Sequence, residues 1–386
     1  MVKSVSIFGS TGSIGVNTLK VIQKNPEKFR VEMLLANSNF ELLAEQALVI
    51  KPNYVCIVDE SKLEQLKALL QNSGIKILAG VNAANELAKI KVDLAMMAIV
   101  GAAAIAPTIE IIKAGNDIAM ANKECLVCAG NIIMSLAKQY NVKIIPVDSE
   151  HNGLFQVFDH KQPALVKDVT LTASGGPFRN YSLEQMQLVT KQQALKHPNW
   201  AMGAKISIDS ATLVNKCLEV IEAYHLFPLK AEQIKIVIHP ESIIHALVTY
   251  TDGSILSQLS KPNMQIPISY ALHYPTRAVL DEFNQFDLAE VGKLSFDKPD
   301  KTRFRSLKIL DSLLYSIDSN ASLVFNVANE VAVAAFLNDQ ISFIQITEII
   351  EKVLNHIESK KLDDIEEVIE QIALVKQIAE EKITWI

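Results

Sequence analysis

A chain of 386 residues is too long for one ordinary hydrophobic core and points to two or three domains. Its hydrophobic fraction is 49%, its charged fraction 21%, and Asp plus Glu outnumber Lys plus Arg by 43 to 37. That is the composition of a soluble globular protein, with no general positive field for nucleic acid or anionic lipid. The start runs straight into a strand pattern without a leader, which places the expected protein in the cytoplasm. The longest early stretch without charge, Leu94 to Ile109, spans sixteen residues and contains Gly101 and Pro107, too short and broken for a membrane span.

Residues 2 to 8 read as an apolar strand, followed at once by Gly9-Ser10-Thr11-Gly12-Ser13-Ile14-Gly15 and a helical pattern from Val16 to Gln23. Strand, glycine loop, helix is the setting of a dinucleotide-binding turn, whose amides and helix N-terminus face a pyrophosphate. The spacing is G-x-x-G-x-x-G, a variant of the NAD fingerprint, and a nucleotide-free α/β domain is the alternative. The second strand, Arg30 to Leu35, ends in Ala36-Asn37-Ser38-Asn39. No acid stands there for the ribose hydroxyls, which favours NADP, although a base for the 2'-phosphate is missing too.

Alternating patterns continue through strands at Tyr54 to Val58, Ile75 to Leu78, Leu94 to Val100 and Asp117 to Ala121, with helices between them, the rhythm of a parallel sheet. The last of these ends in Asn122-Lys123-Glu124, which is either a charged helix start or a ligand-facing strand end. Cys125 and Cys128 read as small apolar residues on a helix, since no second ligand pair stands at zinc spacing. From Val142 an apolar run leads to Asp148-Ser149-Glu150-His151. If the strand continues to Glu150, Asp148 and Glu150 share a face and offer hard oxygens to one divalent cation; a solvated strand end turning into a capped helix is the other reading.

Beyond Asp148 the organisation changes. A strand over Ala164 to Thr172 precedes the turn Ala173-Ser174-Gly175-Gly176-Pro177-Phe178, and Leu195 to Gly203, with His197 and Trp200, reads as a lid or as a pinned surface loop. Asp209-Ser210-Ala211-Thr212 opens a helix expected to reach Tyr224, with Asn215, Lys216 and Glu219 on one face. Such a stripe is either the wet side of an amphipathic helix or a group able to hold a phosphate and complete a metal site. Strands at Ile234 to Ile238, Ser242 to Thr249 and Ile255 to Leu259 look antiparallel, with Asp252-Gly253 as a hairpin turn. His239 and His245 beside them are expected to be satisfied core residues. Residues 281 to 304 read as a connector. From Arg305 onward the pattern is helical, with Ser342 and Gln345 as a capping box and Asn326, Asn329 and Glu330 as packing or surface groups.

The glycine loop, Ala121-Asn122-Lys123-Glu124, Val147-Asp148-Ser149-Glu150-His151, Ala173 to Phe178, His197 to Gly203 and Asp209 to Glu219 stand in one order over nearly the whole chain. In that set the chain resembles the 1-deoxy-D-xylulose 5-phosphate reductoisomerases. The resemblance implies an α/β protein with a Rossmann-like dinucleotide-binding domain (1–148), a central α+β catalytic domain (149–280), a connector (281–304) and a C-terminal helical bundle (305–386). It implies NADPH as cofactor, held by Thr11, Gly12, Ser13, Ile14, Asn39, Asn122, Glu124 and Gly203. A divalent metal, manganese, magnesium or cobalt, would lie on Asp148, Glu150 and Glu219. A sugar phosphate substrate would meet Lys123, Ser149, Glu150, His197, Trp200 and Glu219, with its phosphate on Ser174, Ser210, Asn215 and Lys216. Lys123, Asp148, Glu150, His197 and Glu219 would be the catalytic set.

The family often has Gly-Lys-Asn where this chain has Asn37-Ser38-Asn39, which removes one cation expected near the 2'-phosphate. A homodimer through the strands after Pro240 is implied as well, with neither nucleic acid nor membrane as partner. Two rival readings are another NADP-dependent oxidoreductase of a phosphorylated polyol and a catalytically silent NADP-binding regulator; the intact carboxylate trio speaks against the latter.

Overall fold

The computed structural model describes residues 2–200, 202–280, 283 and 286–384. Four positions of the expected connector (281, 282, 284 and 285), residue 201 of the His197 to Gly203 stretch, residue 1 and the last two of the expected bundle lie outside the described residues. The chain divides into two compact units: Met1–Cys125, Ile133–Asn152 and Asn263–Asp281 form one, and Leu126–Ile132, Gly153–Pro262 and Glu282–Ile386 the other.

The first unit is built on seven strands: β1 (Lys3–Phe8), β2 (Phe29–Ala36), β3 (Tyr54–Ile57), β4 (Lys76–Ala79), β5 (Leu94–Met97), β6 (Asp117–Met120) and β7 (Ile144–Pro146). The helices between and after them are α1 (Ser13–Gln23), α2 (Phe40–Ile50), α3 (Leu63–Leu69), α4 (Val81–Ala88), α5 (Ile105–Lys113), α6 (Glu124–Gln139) and α7 (Ser149–Val157). All pairings are parallel, in the order β4-β3-β2-β1-β5-β6-β7. Of β2 only Arg30 is exposed, as expected where helices cover both faces of a parallel sheet. Strand order reverses between β1 and β5, so a crevice opens outside their carboxyl ends, and the glycine loop follows β1 directly.

A helix from far later in the chain, α12 (Gln265–His273), packs on α1 and adds Ile268, Ala271 and Leu272 to this core. Lys3 Nζ donates to the carbonyls of Leu272 (2.8 Å) and Tyr274 (3.2 Å), a cation placed where a helix C-terminus leaves carbonyls unpaired.

The strand begun near Val142 stops at Pro146 and does not run on to Glu150. Val147 gives the last bond of this edge, to Met120 O (2.9 Å). The Asp148 carbonyl then accepts from Asn152 N (2.8 Å) and its carboxylate from Glu150 N (3.3 Å), so Asp148 acts as the N-cap of α7. The two acids are therefore brought together by a cap and a first helical turn, not by a strand face.

The second unit holds a four-stranded sheet in the order β11-β10-β8-β9, made by β8 (Val166–Ala173), β9 (Ile234–Ile238), β10 (Ile244–Tyr250) and β11 (Ile255–Leu259). Between β8 and β9 lie α8 (Leu183–Gln187), α9 (Lys191–Ala194), α10 (Ala204–Ala211) and α11 (Val214–Leu226). The antiparallel expectation holds for β10 and β11, joined by the Asp252-Gly253 turn, but β9 pairs parallel with β8. A helical crossover returns the chain in its original direction, which a hairpin does not. The expected single helix from Asp209 to Tyr224 is two helices, broken at Leu213, whose φ of 58° is left-handed. Asp209 and Ser210 thus close α10 instead of opening α11.

After the short α13 (Leu288–Val291) come α14 (Arg305–Leu314), α15 (Ala321–Leu337), α16 (Phe343–His356) and α17 (Ile365–Thr384), close to the expected helices. α15 packs on α16 and α17, and Ser342 with Gln345 forms the expected capping box of α16. All four cysteines are buried thiols, with no disulfide among the described residues. Among the described residues no helix is long and apolar enough to cross a membrane.

Candidate active site

At the switch point of the parallel sheet, Gly9 N and Ser10 N donate to Leu35 O and Gly12 N to Gly9 O, while Gly12, the N-cap of α1, offers no side chain to the amides of the first turn. Gly15 explains the shape of the loop. A Cβ there would come within 2.3 Å of Gly9 O and 2.4 Å of Ser10 Cα, so α1 must approach the loop as bare backbone. Thr11 and Ile14 are half-buried, Gly12 and Ser13 exposed. Asn39 is exposed and caps α2 by accepting from Leu42 N (3.1 Å).

Asn122, at the end of β6, spends its side chain internally. Its amide donates to Ile99 O (2.7 Å) and Gly101 O (3.0 Å), and its oxygen accepts from Cys125 N (2.7 Å). It stitches two strand-end loops to the start of α6, which leaves its backbone for any ligand. Glu124 is buried in the first turn of α6.

Lys123, 6% exposed, places its ammonium 2.8 Å from Asp148 Oδ2. His151, fully buried, lies 3.4 Å from Oδ1. Burial alone would raise the Asp148 carboxyl, but Lys123 and His151 outweigh it and hold the group well below the usual carboxylate range. Ser149 Oγ donates to Glu150 Oε2 (2.5 Å). β6 and β7 are neighbours, so their carboxyl ends bring a cation and two carboxylates to one edge of the sheet.

In the second unit, Ser174 follows β8 and His197 follows α9. Their side chains meet, Oγ to Nε2, at 2.9 Å. His197 Nδ1 accepts from Asn199 N (3.2 Å) and Trp200 N (3.0 Å), so the neutral ring carries its proton on Nε2 and donates it to Ser174. Gly176 N donates to the same hydroxyl (3.2 Å). With its lone pairs taken, the Ser174 O–H proton is left to donate to a further acceptor. Burial holds His197 down to about 4, which keeps the ring neutral at physiological pH. Trp200 is half-buried, its ring 6.3 Å from that of His245. Gly203 is exposed and is the N-cap of α10.

On α11 the polar stripe is not a wet face: Lys216 and Glu219 are 3% and 1% exposed. Asn215 Nδ2 donates to Glu219 Oε1 (2.5 Å) and Lys216 Nζ to Oε2, so one buried carboxylate binds both neighbours at helical spacing. Ser210, also buried, ends α10 just before the Leu213 break. That break turns the chain so that Ser210, Asn215 and Lys216 lie around one corner.

His239 and His245 are satisfied, as expected. His239 accepts from Ile243 N and Ile244 N at Nε2 (3.2 Å each), and His245 Nε2 lies 3.0 Å from Ser260 Oγ. Asn326 and Asn329 are fully buried polar residues inside the apolar α15, not surface groups. Asn329 donates to Asp209 Oδ1 (2.7 Å) and Asn326 to Glu330 Oε1 (3.0 Å). The available signal was an amide on the buried stripe of a helix, which requires a polar partner.

Residues 5–130 match a family model described as 1-deoxy-D-xylulose 5-phosphate reductoisomerase, residues 144–227 its C-terminal domain, and residues 259–378 a DXP reductoisomerase C-terminal domain. The chain belongs to this family. A reductoisomerase of Phocaeicola vulgatus is 45% identical over 380 residues, covering 98% of each chain. One of a Wolbachia species is 47% identical over 354 residues, covering 91% of this chain and 90% of the relative. Among solved structures, the Zymomonas mobilis enzyme in complex with NADPH is 38% identical with a TM-score of 0.92, covering 99% of both chains. A family structure in complex with NADPH, fosmidomycin and magnesium is 38% identical with a TM-score of 0.94, covering 99% of this chain and 98% of the other.

Proposed function

We propose that Asp148, Glu150 and Glu219 hold the divalent cation of an NADPH-dependent reductoisomerase. The reaction is the family's: isomerisation and reduction of 1-deoxy-D-xylulose 5-phosphate to 2-C-methyl-D-erythritol 4-phosphate, in non-mevalonate isoprenoid precursor synthesis. The donor set fits the metal, because hard carboxylate oxygens suit Mg2+ or Mn2+ and no thiolate competes. The glycine loop fits the cofactor, because exposed Gly12 opens α1 without a side-chain cap and Gly15 lets the helix start close against Gly9 and Ser10. The observation that carries the assignment of roles is the buried Lys123–Asp148 pair, a cation and a metal ligand fixed to each other.

When bound, the cation polarises the carbonyl and hydroxyl oxygens of the substrate and NADPH supplies the hydride. Lys123, oriented by Asp148, stabilises negative charge on a substrate oxygen, and Ser149 donates to a hydroxyl. Ser174, its lone pairs occupied, gives its proton to the phosphate, joined by Ser210, Asn215 and the Lys216 ammonium. His197 holds Ser174 and, with Trp200 on the lid, lines the rest of the substrate. Thr11, Gly12, Ser13 and Ile14 hold the NADPH phosphates, with Asn39, Asn122, Glu124 and Gly203 around the remainder.

The functional division assigns 1–148 to the cofactor, 149–280 to metal, phosphate and lid, 281–304 to a connector and 305–386 to the bundle. We place the chain in the cytoplasm as a homodimer; the edge position of β11 and its exposed Ile255 and Leu256 support the dimer.

The test is turnover of 1-deoxy-D-xylulose 5-phosphate with NADPH and Mn2+, followed as loss of nicotinamide absorbance. Chelator should abolish the loss and added metal restore it. No loss with all components present would favour another NADP-dependent oxidoreductase of a phosphorylated polyol.

A further inference from the structure

The corner that carries Ser210, Asn215 and Lys216 is held both from within and from other helices. It contains a left-handed Leu213, and Thr212 Oγ1 spans the break, donating to Ile208 O (3.1 Å) and accepting from Val214 N (3.4 Å). Two further bonds come from the C-terminal helices. Asp209, 2% exposed, sits beside Ser210 and has both carboxylate oxygens engaged: Oδ2 by Lys205 Nζ (2.7 Å) on its own helix, and Oδ1 by Asn329 Nδ2 (2.7 Å) from α15. Three residues after Asp209, the Thr212 carbonyl accepts from Ser306 Oγ (2.6 Å) of α14, itself fully buried. Cys217 Sγ lies 3.4 Å from Ser306 O and 3.3 Å from Leu213 O, so its one proton is shared between α14 and the corner itself. From the other side the Ser174 turn presses on the corner. A Cβ on Gly176, whose φ is +66°, would stand 2.7 Å from Ser210 O.

We infer that Asn329 and Ser306 are positioning residues for the substrate phosphate: they fix Asp209 and Thr212 and so set where Ser210 and Asn215 present their donors. This rests on the reading of Ser210, Asn215 and Lys216 as the phosphate grip. A buried carboxylate must keep its hydrogen-bond partners. When Asn329 loses its amide, Asp209 must rotate or draw in solvent, and Ser210 moves with the last turn of α10. The bundle is then a working part of the phosphate site and not only its cover. Because a phosphate anchors the substrate remotely from the reacting carbons, misplacing its donors weakens substrate binding more than the chemical step or the cofactor.

The experiment compares Asn329→Leu, Ser306→Ala and Ser210→Ala in the full-length holoenzyme with Mg2+. The readouts are KM for 1-deoxy-D-xylulose 5-phosphate, kcat, KM for NADPH and the competitive Ki of inorganic phosphate. Asn329→Leu should raise the substrate KM and the phosphate Ki about tenfold and Ser306→Ala about threefold, with KM for NADPH within twofold of the parent. Asn329→Gln, which keeps the amide, should recover part of the loss. A merely structural role would lower the active fraction and hence kcat, leaving both constants unmoved, and that result overturns the inference. If Asn329→Leu does not fold, Ser306→Ala decides by the same constants. Should Ser210→Ala leave the substrate KM and phosphate Ki unchanged, the reading of the phosphate grip fails. Should Ser210→Ala raise them while the folded positioning variants do not, that reading stands and the inference falls.

Discussion

Glu219 shows how one residue can serve two purposes. Buried at 1% exposure, it accepts from Asn215 and Lys216, and it is the third proposed metal ligand. Glu219→Gln keeps the volume and removes the charge. Its kcat should fall at least about 100-fold, and metal titration should no longer restore activity. Normal turnover would show that the third ligand lies elsewhere. His225 illustrates a residue whose proton matters to stability alone. Burial holds it down to about 4 against the opposing pull of Asp318, while the unfolded chain titrates near 6.5. The unfolded state therefore takes up the proton first on acidification. The stabilisation is intact above about pH 6.5 and is lost as pH falls towards about 4, to a limit of about 3 kcal/mol. In His225→Gln, denaturation followed between pH 7 and 4 should show a shallower decline than in the parent, and equal slopes would refute the assignment.

At the scale of elements, the glycine loop and the late helices were legible because periodicity and glycine spacing are local signals. The capping box at Ser342 and the strand–loop–helix around Gly9 to Gly15 needed nothing beyond their own residues. Three features were not local. A left-handed Leu213 has no sequence signature, because leucine reaches that conformation only when its surroundings impose it. The parallel seat of β9 depends on the crossover before it, which an apolar pattern does not record. Asn329 meets Asp209 across 120 residues, and a lone sequence does not couple them. The strand face expected to join Asp148 and Glu150 is absent: Asp148 caps α7, and the two proposed metal ligands meet through that cap.

The loop after β2 supplies the prediction for this scale. Asp59 N donates to Asn37 O (2.8 Å), placing the acidic turn after β3 beside a loop that lacks the usual lysine. NADPH should still be preferred over NADH, and Ser38→Lys should lower KM for NADPH by about tenfold while moving that for NADH less than twofold. A kcat/KM ratio near one for the two cofactors in the parent would contradict the NADPH assignment.

For the whole molecule, the exposed edge of the second sheet is the feature that asks for a partner. Ile255 and Leu256 are 57% and 51% exposed on β11, and an unpaired apolar edge strand is a template for association. Sedimentation should give a dimer for the parent and a monomer for Leu256→Asp; a parent that sediments as a monomer would remove β11 as an interface.

The connectivity of the two units also dictates how the chain can be made. Ile268, Ala271 and Leu272 belong to the same core as Val5, Ile7 and Val147, yet they are synthesised roughly 120 residues after Val147. At about 5–20 residues per second, that is a wait of roughly 6 to 24 seconds on the ribosome. During it all seven strands of the parallel sheet have been synthesised while α12, which covers α1, has not. The nascent cofactor unit is thus exposed to chaperones over a defined interval, and a fragment ending before Asn263 carries that exposure permanently.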